Sequence, residues 1–378
     1  MGDPDFTAFY AAGKIVRAGR GAELYTARTQ LGTQREFTSD SDIRRGPLPY
    51  IHPPFEALIF LPLTFLSYRY AFVSWELLNL AMLFGAVLKL RDWSPALEHI
   101  PPWQLALAGL AFFPVFANFH QGQDAILMLL VVVLAFRDLE RGADLRAGCW
   151  LGLGVFRYQI IVPLVLILGL WGRRKLLLGF AATTLAAGLL SLAVVGWPGA
   201  VQYVAFVWHW ASELSFGRTP PALMPNLLGL VTGWPGLTSP AWPGQLVVLA
   251  CSAGLLIWIV ALGRFANDKR GSQLGFACAV LAALLVGYST NSYDLALLLL
   301  PLAIVVDHCL GESSMRQAER TALVAPAIPL LISPLWFFLW LRWERINLIA
   351  VFLLWWLYAI AQEMRRLEKE RHLEAAYS

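Results

Sequence analysis

Apolar runs separated by short clusters of Lys and Arg dominate this sequence and leave it few folds to choose from. Runs near the roughly 20 residues that a helix needs to cross a bilayer fall at 70–90, 103–118, 176–197, 245–265, 273–288, 295–309, 321–341 and 346–361, with a shorter one at 124–136. At 58% hydrophobic and 14% charged residues, the chain has more apolar surface than one soluble core of this size would bury, so it reads as a polytopic membrane protein. The 16 Trp and 11 Tyr suit bilayer interfaces, where an apolar ring with a polar handle is best placed. A net charge of +4 comes from the loops between runs and gives no reason to invoke nucleic acid. Cys149, Cys251, Cys278 and Cys309 lie in or beside apolar runs and read as small hydrophobes. No His, Cys or carboxylate spacing is of a metal-binding type, so neither an obligatory metal site nor a cofactor is expected.

The basic clusters set an orientation. Cytoplasmic loops carry the Lys and Arg excess. The clusters are Lys89 and Arg91; Arg137, Arg141 and Arg146; Arg173-Arg174-Lys175; Arg264 with Lys269-Arg270; Arg316 with Arg320; and Arg365-Arg366 through Arg371. All fall on one side only if 147–171 does not cross as a single helix. Gly152-Leu153-Gly154-Val155-Phe156-Arg157-Tyr158-Gln159 interrupts that run before Pro163. A turn there would make 147–156 and 160–171 two half-depth helices of roughly 15 to 18 Å and bury Arg157 where charge is expensive and functional. The other reading is one long tilted helix with Arg157 snorkelling, at the expense of a misplaced Arg-Arg-Lys cluster.

The expectation is an all-α polytopic membrane protein of about ten to eleven membrane helices including that half-depth hairpin. Residues 1–69 form an extracytoplasmic segment, 70–364 a multi-span domain with an outer loop at 197–244, and 365–378 a cytoplasmic tail. Phe55 to Leu66, too short to span and holding Pro62, reads as interfacial or re-entrant. Met1-Gly2-Asp3-Pro4 has neither a basic nor an apolar leader region. Carrying residues 1–69 across therefore calls for an upstream span, with Met1 a late start or a truncation. Polar residues of functional type concentrate outside, away from cytoplasmic nucleotides, and no phosphate-cradling Gly-rich loop is present.

An ordered set of motifs then comes into view. It runs from Asp5-Phe6-Thr7-Ala8-Phe9-Tyr10, through Gly21 with Leu24-Tyr25, His52-Pro53-Pro54-Phe55, Asn118, Gly122-Gln123-Asp124, the 154–163 segment and Met224-Pro225-Asn226-Leu227, to Ser292-Tyr293-Asp294-Leu295. Over most of residues 5 to 305 the chain resembles glycosyltransferase family 87, whose members have a GT-C-type membrane fold and use polyprenyl-phosphate sugars. Two departures stand out: Arg157 replaces a usual Lys, and Asn291 stands where several relatives carry His.

The resemblance implies transfer of a hexose, mannose by analogy, from a polyprenyl-phosphate donor to a lipid-linked or envelope glycan acceptor. The site would open on the outer face of a bacterial inner membrane, with the C-terminus cytoplasmic. Such transfer needs a base for the acceptor hydroxyl and a cation for the departing phosphate, away from water. Asp5 is the candidate base, with Asp3 the alternate and a helix N-cap the structural alternative. Arg157 is the candidate phosphate ligand, or else a buried ion pair, and Arg218 a second phosphate contact. Tyr10, His52, Asn118, Gln123, Gln159, Asn291 and Asp294 are substrate-side candidates; for Asp294 a helix cap or a pairing with Arg157 competes. His120 and Gln121 sit on the same outer turn. A flippase for lipid-linked sugars, which would call for paired broken helices, and an inactive homologue are the alternatives.

Overall fold

In the computed structural model the described residues are 4–38, 48–212, 224–232, 242–266, 268–312, 315–332, 334–335 and 348–377. Asp3, Arg218, much of the 197–244 loop and the outer turn at 342–345 lie outside them. Among the described residues the chain is helical with no strand. The main helices are α1 (Phe6–Arg17), α2 (Ala27–Arg35), α3 (Tyr68–Arg91), α4 (Pro102–Ala111), α5 (Phe113–Gln121), α6 (Ala125–Glu140), α7 (Asp144–Leu153), α8 (Tyr158–Leu170), α9 (Arg174–Ser212), α10 (Leu227–Thr232), α11 (Trp242–Leu262), α12 (Lys269–Val286), α13 (Leu299–Gly311) and α14 (Leu348–Tyr377). Among the described residues, seven helical stretches are long and apolar enough to cross a membrane, or eight if α4 and α5, bent by 76°, count as one. The larger number expected from sequence included α6, which has 16 residues, and 321–341, part of which is not described.

One of the seven, Asp144–Leu170 at 27 residues, folds back on itself. A straight helix of that length would be about 40 Å long, yet Arg173 Nη1 lies 3.2 Å from Asp144 Oδ1. A Cβ on Gly154 would sit 3.1 Å from Ile161 Cγ1. The break is a 3-10 turn, Gly154–Arg157, ending where Arg157 leaves helical geometry at φ −110° and ψ 51°. This is the half-depth hairpin expected from the charge pattern, and Arg157 is at its tip. Close backbone contact locks it: a Cβ on Gly148 would come within 2.0 Å of Leu176 O, and one on Gly179 within 2.0 Å of Leu145 O. Small residues on facing helices permit that approach in a membrane bundle.

The hairpin makes the basic clusters share one end. Besides the Arg173–Asp144 pair, Arg270 pairs with Glu312, Arg371 approaches Asp268 at 3.7 Å, and Arg366 contacts Glu363 and Glu370 at 2.7 Å each. The N-terminal segment, the α5–α6 turn, the hairpin tip and the start of the 293–311 helix occupy the other end. Between the ends, α12 is the central staff, with Leu274 and Phe276 through Leu285 buried against α8, α13 and α14. The four cysteines are unpaired. α9 kinks at Gly196, whose φ of 66° suits only glycine readily, so residues after Trp197 continue as helix over the N-terminal segment rather than as open loop. Trp197 and Trp208 remain 73% and 74% exposed, as interfacial side chains would.

Described residues of the N-terminal segment build, with Trp75, a separate aromatic layer at the end opposite the basic clusters. Phe6, Phe9, Tyr10, Leu24, Tyr25, Tyr50, Phe60 and Trp75 form one buried cluster. The 54–65 stretch is three short helical turns broken at Pro62, packed under α1.

Candidate active site

A cavity of about 130 Å³ opens at this end, between α1, the 48–52 strand-like segment, the hairpin tip and residues 288–293. Each wall is held by a specific device. Gln30 and Gln34, four apart and so on one face of α2, act as a substitute sheet edge. Gln34 both donates to Leu48 O at 2.7 Å and accepts from Leu48 N at 3.0 Å, while Gln30 Oε1 accepts from Tyr50 N at 3.1 Å. That pairing, with Tyr25 donating to His52 O at 2.6 Å, presents His52 to the cavity.

The second device is the α5–α6 turn. Gly122 terminates α5 in the left-handed region at φ 63°, and Gln123 N donates back to Asn118 O at 3.0 Å, a glycine C-terminal cap. A Cβ at Gly122 would strike Phe6 Cβ at 2.6 Å. Asn118 Oδ1 then caps α6 by accepting from Ala125 N at 2.9 Å. Asp124, in the N-cap position, makes no cap bond of its own. Its carboxylate is free to turn inward, as Gln123 does.

Asp5 behaves in the same way. It stands at the N-cap of α1 without a side-chain cap bond, which removes the helix-cap alternative for its carboxylate. Oδ2 instead accepts from Gln123 Nε2 at 2.6 Å, and the Asp5 N–H donates to Gln121 Oε1 at 3.3 Å. Gln123 Oε1 accepts in turn from Arg157 Nη2 at 2.5 Å. A guanidinium only donates and a carboxylate only accepts, so the amide's orientation is dictated by its two neighbours. The acid near the start of the chain and the guanidinium midway along it are one glutamine apart, on a shared cavity.

Arg157 is 3% exposed in its side chain and its charge is matched twice. Nε donates to Asp124 Oδ1 at 2.9 Å, Nη2 pairs with the same oxygen, and Nη1 lies 3.1 Å from Asp294 Oδ1. The Tyr293 ring lies 5.2 Å from its centre. The pairing reading of Arg157 and Asp294 is therefore realised, and Asp294 Oδ2 also accepts from Asn291 N at 2.7 Å. Burial raises the Asp5 carboxyl above its ordinary 3.8, against the hydrogen bond from Gln123 that lowers it. For Asp124 burial is again the largest influence and pulls the same way, but Arg157, His52 and Glu56 together outweigh it and hold the group down at about 2. Glu56, buried beside Asp124, is pushed well up by burial first and by the charge of Asp124 second.

The candidates separate cleanly by position. Asp5, His52, Gln123, Arg157, Gln159 and Asn291 line the cavity. Asp294 stands behind Arg157. Tyr10 does not reach the cavity: it is 4% exposed inside the aromatic layer, with its hydroxyl donating to Leu66 O at 2.7 Å. Asn118 is fully buried as the α6 cap, which corrects its placement among substrate contacts. His120 is exposed on the outer turn, and Asp3 and Arg218 are outside the described residues.

The profile of glycosyltransferase family 87 matches residues 50–287. The chain belongs to glycosyltransferase family 87. No curated protein and no solved structure matches it. The matched region of this family 87 membrane glycosyltransferase contains His52, Gln123 and Arg157, while Asp5, Asn291 and Asp294 lie outside it and reach the cavity through the fold. Sequence reasoning passed over several of the enzyme's cavity-end residues. Tyr158 and Tyr288 share a hydroxyl–hydroxyl hydrogen bond at the rim, and Asp124 and Glu56 lie under His52. Glu56 could have been noticed as the residue one helical turn after His52, and Asp124 as the charge beside Gln123.

Proposed function

We propose that this glycosyltransferase transfers a hexose, mannose in the first instance, from a polyprenyl-phosphate donor to a lipid-linked or envelope glycan acceptor. The observation that carries the reading is the uncapped Asp5 carboxylate, held at the cavity by Gln123. The acceptor oxygen attacks the anomeric carbon and passes its proton to Asp5 as the bond to the phosphate oxygen breaks. The polyprenyl phosphate leaves with the bonding pair and the anomeric centre is inverted, so a β-linked donor gives an α-linked product. His52, Gln159 and Asn291 supply ring and amide groups suited to sugar hydroxyls. Arg157 meets the departing phosphate by loosening its longer contact, that to Asp294.

The orientation rests on the basic clusters that link the apolar runs, which gather at the end opposite the cavity. By the positive-inside rule that end is cytoplasmic, and the cavity faces the exterior of a bacterial inner membrane. Purified protein given labelled polyprenyl-phosphate mannose and a membrane glycolipid acceptor tests the reading: wild type forms product and Asp5→Asn does not. Movement of the donor across vesicles without transfer, or full transfer by Asp5→Asn, would overturn it.

A further inference from the structure

At the wall of the cavity three ligand-type side chains meet, two of which, Glu56 and Asp124, the transfer mechanism does not use. His52, Glu56 and Asp124 each direct a nitrogen or oxygen to one point, and these atoms lie within 4.8 Å of one another. Glu56 and Asp124 have side chains 0% exposed and His52 11%. After all hydrogen bonds are assigned, His52 Nδ1, Glu56 Oε1 and Asp124 Oδ2 remain without a partner. His52 Nδ1 is 2.7 Å from Glu56 Oε2 and 3.7 Å from Asp124 Oδ2, yet makes no hydrogen bond to either.

Buried polar atoms left unpaired cost about 1–3 kcal/mol each, and three on one point are rarely accidental. The charges of the region say the same. Asp124 and Asp294 already share the one guanidinium, Arg157, and leave no cation for Glu56 among the described residues, all with side chains no more than 3% exposed. A proton shared between Glu56 and Asp124 satisfies two of the orphaned atoms and leaves the His52 nitrogen. A cation satisfies all three.

We propose that His52, Glu56 and Asp124 bind a divalent transition cation of the zinc or manganese class. One imidazole nitrogen with two carboxylate oxygens is a donor set for these ions rather than for magnesium or calcium. Ligand distances of about 2.0–2.2 Å require the three atoms to draw together by about an ångström, a rotamer-scale change. His52 lines the cavity, so the ion has an entry path. The expectation of no metal site rested on spacing along the chain, and this set is assembled from two segments brought together by the α5–α6 turn. The bound ion would tie the 48–56 segment to that turn and add positive charge at the cavity wall to that of Arg157, which is shared with two carboxylates. That last role rests on the anionic-donor reading; the site itself does not.

The test uses the full chain purified in detergent, stripped with chelator and re-equilibrated with Mn²⁺ or Zn²⁺. Elemental analysis should find about one ion per chain in wild type, and thermal unfolding should move to higher temperature with added ion. Glu56→Gln and His52→Asn, near-isosteric changes whose helix content is checked by circular dichroism, should lose both effects while folding normally. A wild-type chain that retains no ion and whose unfolding ignores it would overturn the proposal, as would Glu56→Gln retaining a full equivalent. Sugar transfer by an ion-free wild type would overturn the countercharge role alone, and ion binding without any transfer would instead count against the donor reading.

Discussion

The two ends of this bundle use the same residues to opposite effect. At the basic end, Arg366 holds Glu363 and Glu370 at 2.7 Å each, with Glu370 48% exposed; Arg371 pairs with Glu368, and Arg316 lies 2.7 Å from Glu319 while itself 81% exposed. Water screens the exposed members, Glu370 and Arg316 among them, and such contacts contribute little net stability; Glu363, 5% exposed and 2.8 Å from His308 Nε2, is the buried exception. At the cavity end Arg157, Asp124 and Asp294 are all but removed from solvent. There each charge is stable only because the others are present. The lesson is that charge at the basic end orients the chain, whereas charge at the cavity end is part of a closed arrangement in which one substitution exposes every partner.

The largest effect should come from Asp5. Replacing it with Asn keeps the side chain's shape and its hydrogen bonding to Gln123 while removing the base. Transfer should fall by about 10²- to 10⁴-fold, the range of general base catalysis, with unfolding nearly unchanged, because Asp5 has no capping role to lose. A purely structural Asp5 would show the reverse pattern.

Arg157→Met separates the ends most directly in stability. It strands Asp124 and Asp294 in the interior, and breaking a buried pair by removing one partner costs about 3–5 kcal/mol. Thermal unfolding in detergent should drop accordingly, with Arg157→Lys intermediate because one ammonium cannot reproduce the forked contact to Asp124 and Gln123. If Arg157→Met unfolds like wild type, the cavity end is no different in kind from the basic end.

Much of this contrast could be read before any coordinates. The hairpin was legible because two independent signals agreed: the glycine-rich interruption at 152–159 and the need to place Arg173-Arg174-Lys175 with the other basic groups. The placement of Asp5 at the cavity was legible from its motif and its place before an apolar run. What lay hidden depended on convergence in space. Asn118 was readable as a polar outer residue, but that its side-chain amide oxygen would cap α6 and so release the Asp124 carboxylate depends on Gly122 adopting a positive φ. Tyr10 carries a polar tip in a motif that otherwise reaches the cavity, and only the packing of α1 on the 54–65 turns directs that tip to Leu66 O. Arg157's double pairing joins three segments far apart in the chain, and no periodicity encodes it.

Gln123 sharpens the comparison through pH. Burial raises the Asp5 carboxyl above 3.8 and the Gln123 hydrogen bond restrains that rise. The base works only when ionised, so transfer should fall as pH drops through the raised value. Gln123→Leu removes a donor to the charged form, so the acid limb of kcat/KM should move to higher pH, by roughly one unit for a hydrogen bond of this type. Arg157 also loses the amide oxygen that accepts from Nη2, so a modest fall in unfolding temperature should accompany the shift. An acid limb that stays in place would mean that Asp5 is not the titrating base.

The smallest effect belongs to the basic end, and its smallness is the prediction. Glu370→Gln breaks the 2.7 Å contact with Arg366, but the remaining partner Glu363 and the surrounding water take over the guanidinium's charge. The unfolding midpoint should move by no more than about 2 °C, as for other exposed pairs, and transfer at the far end should be unaltered. Raising salt should narrow even that difference, because exposed charges are screened over about 8–10 Å, while the Arg157 variants should keep their deficit at the same ionic strength. A Glu370→Gln loss as large as that of Arg157→Met would mean that α14 couples the two ends through α12 and that the cavity's charges are not a closed set.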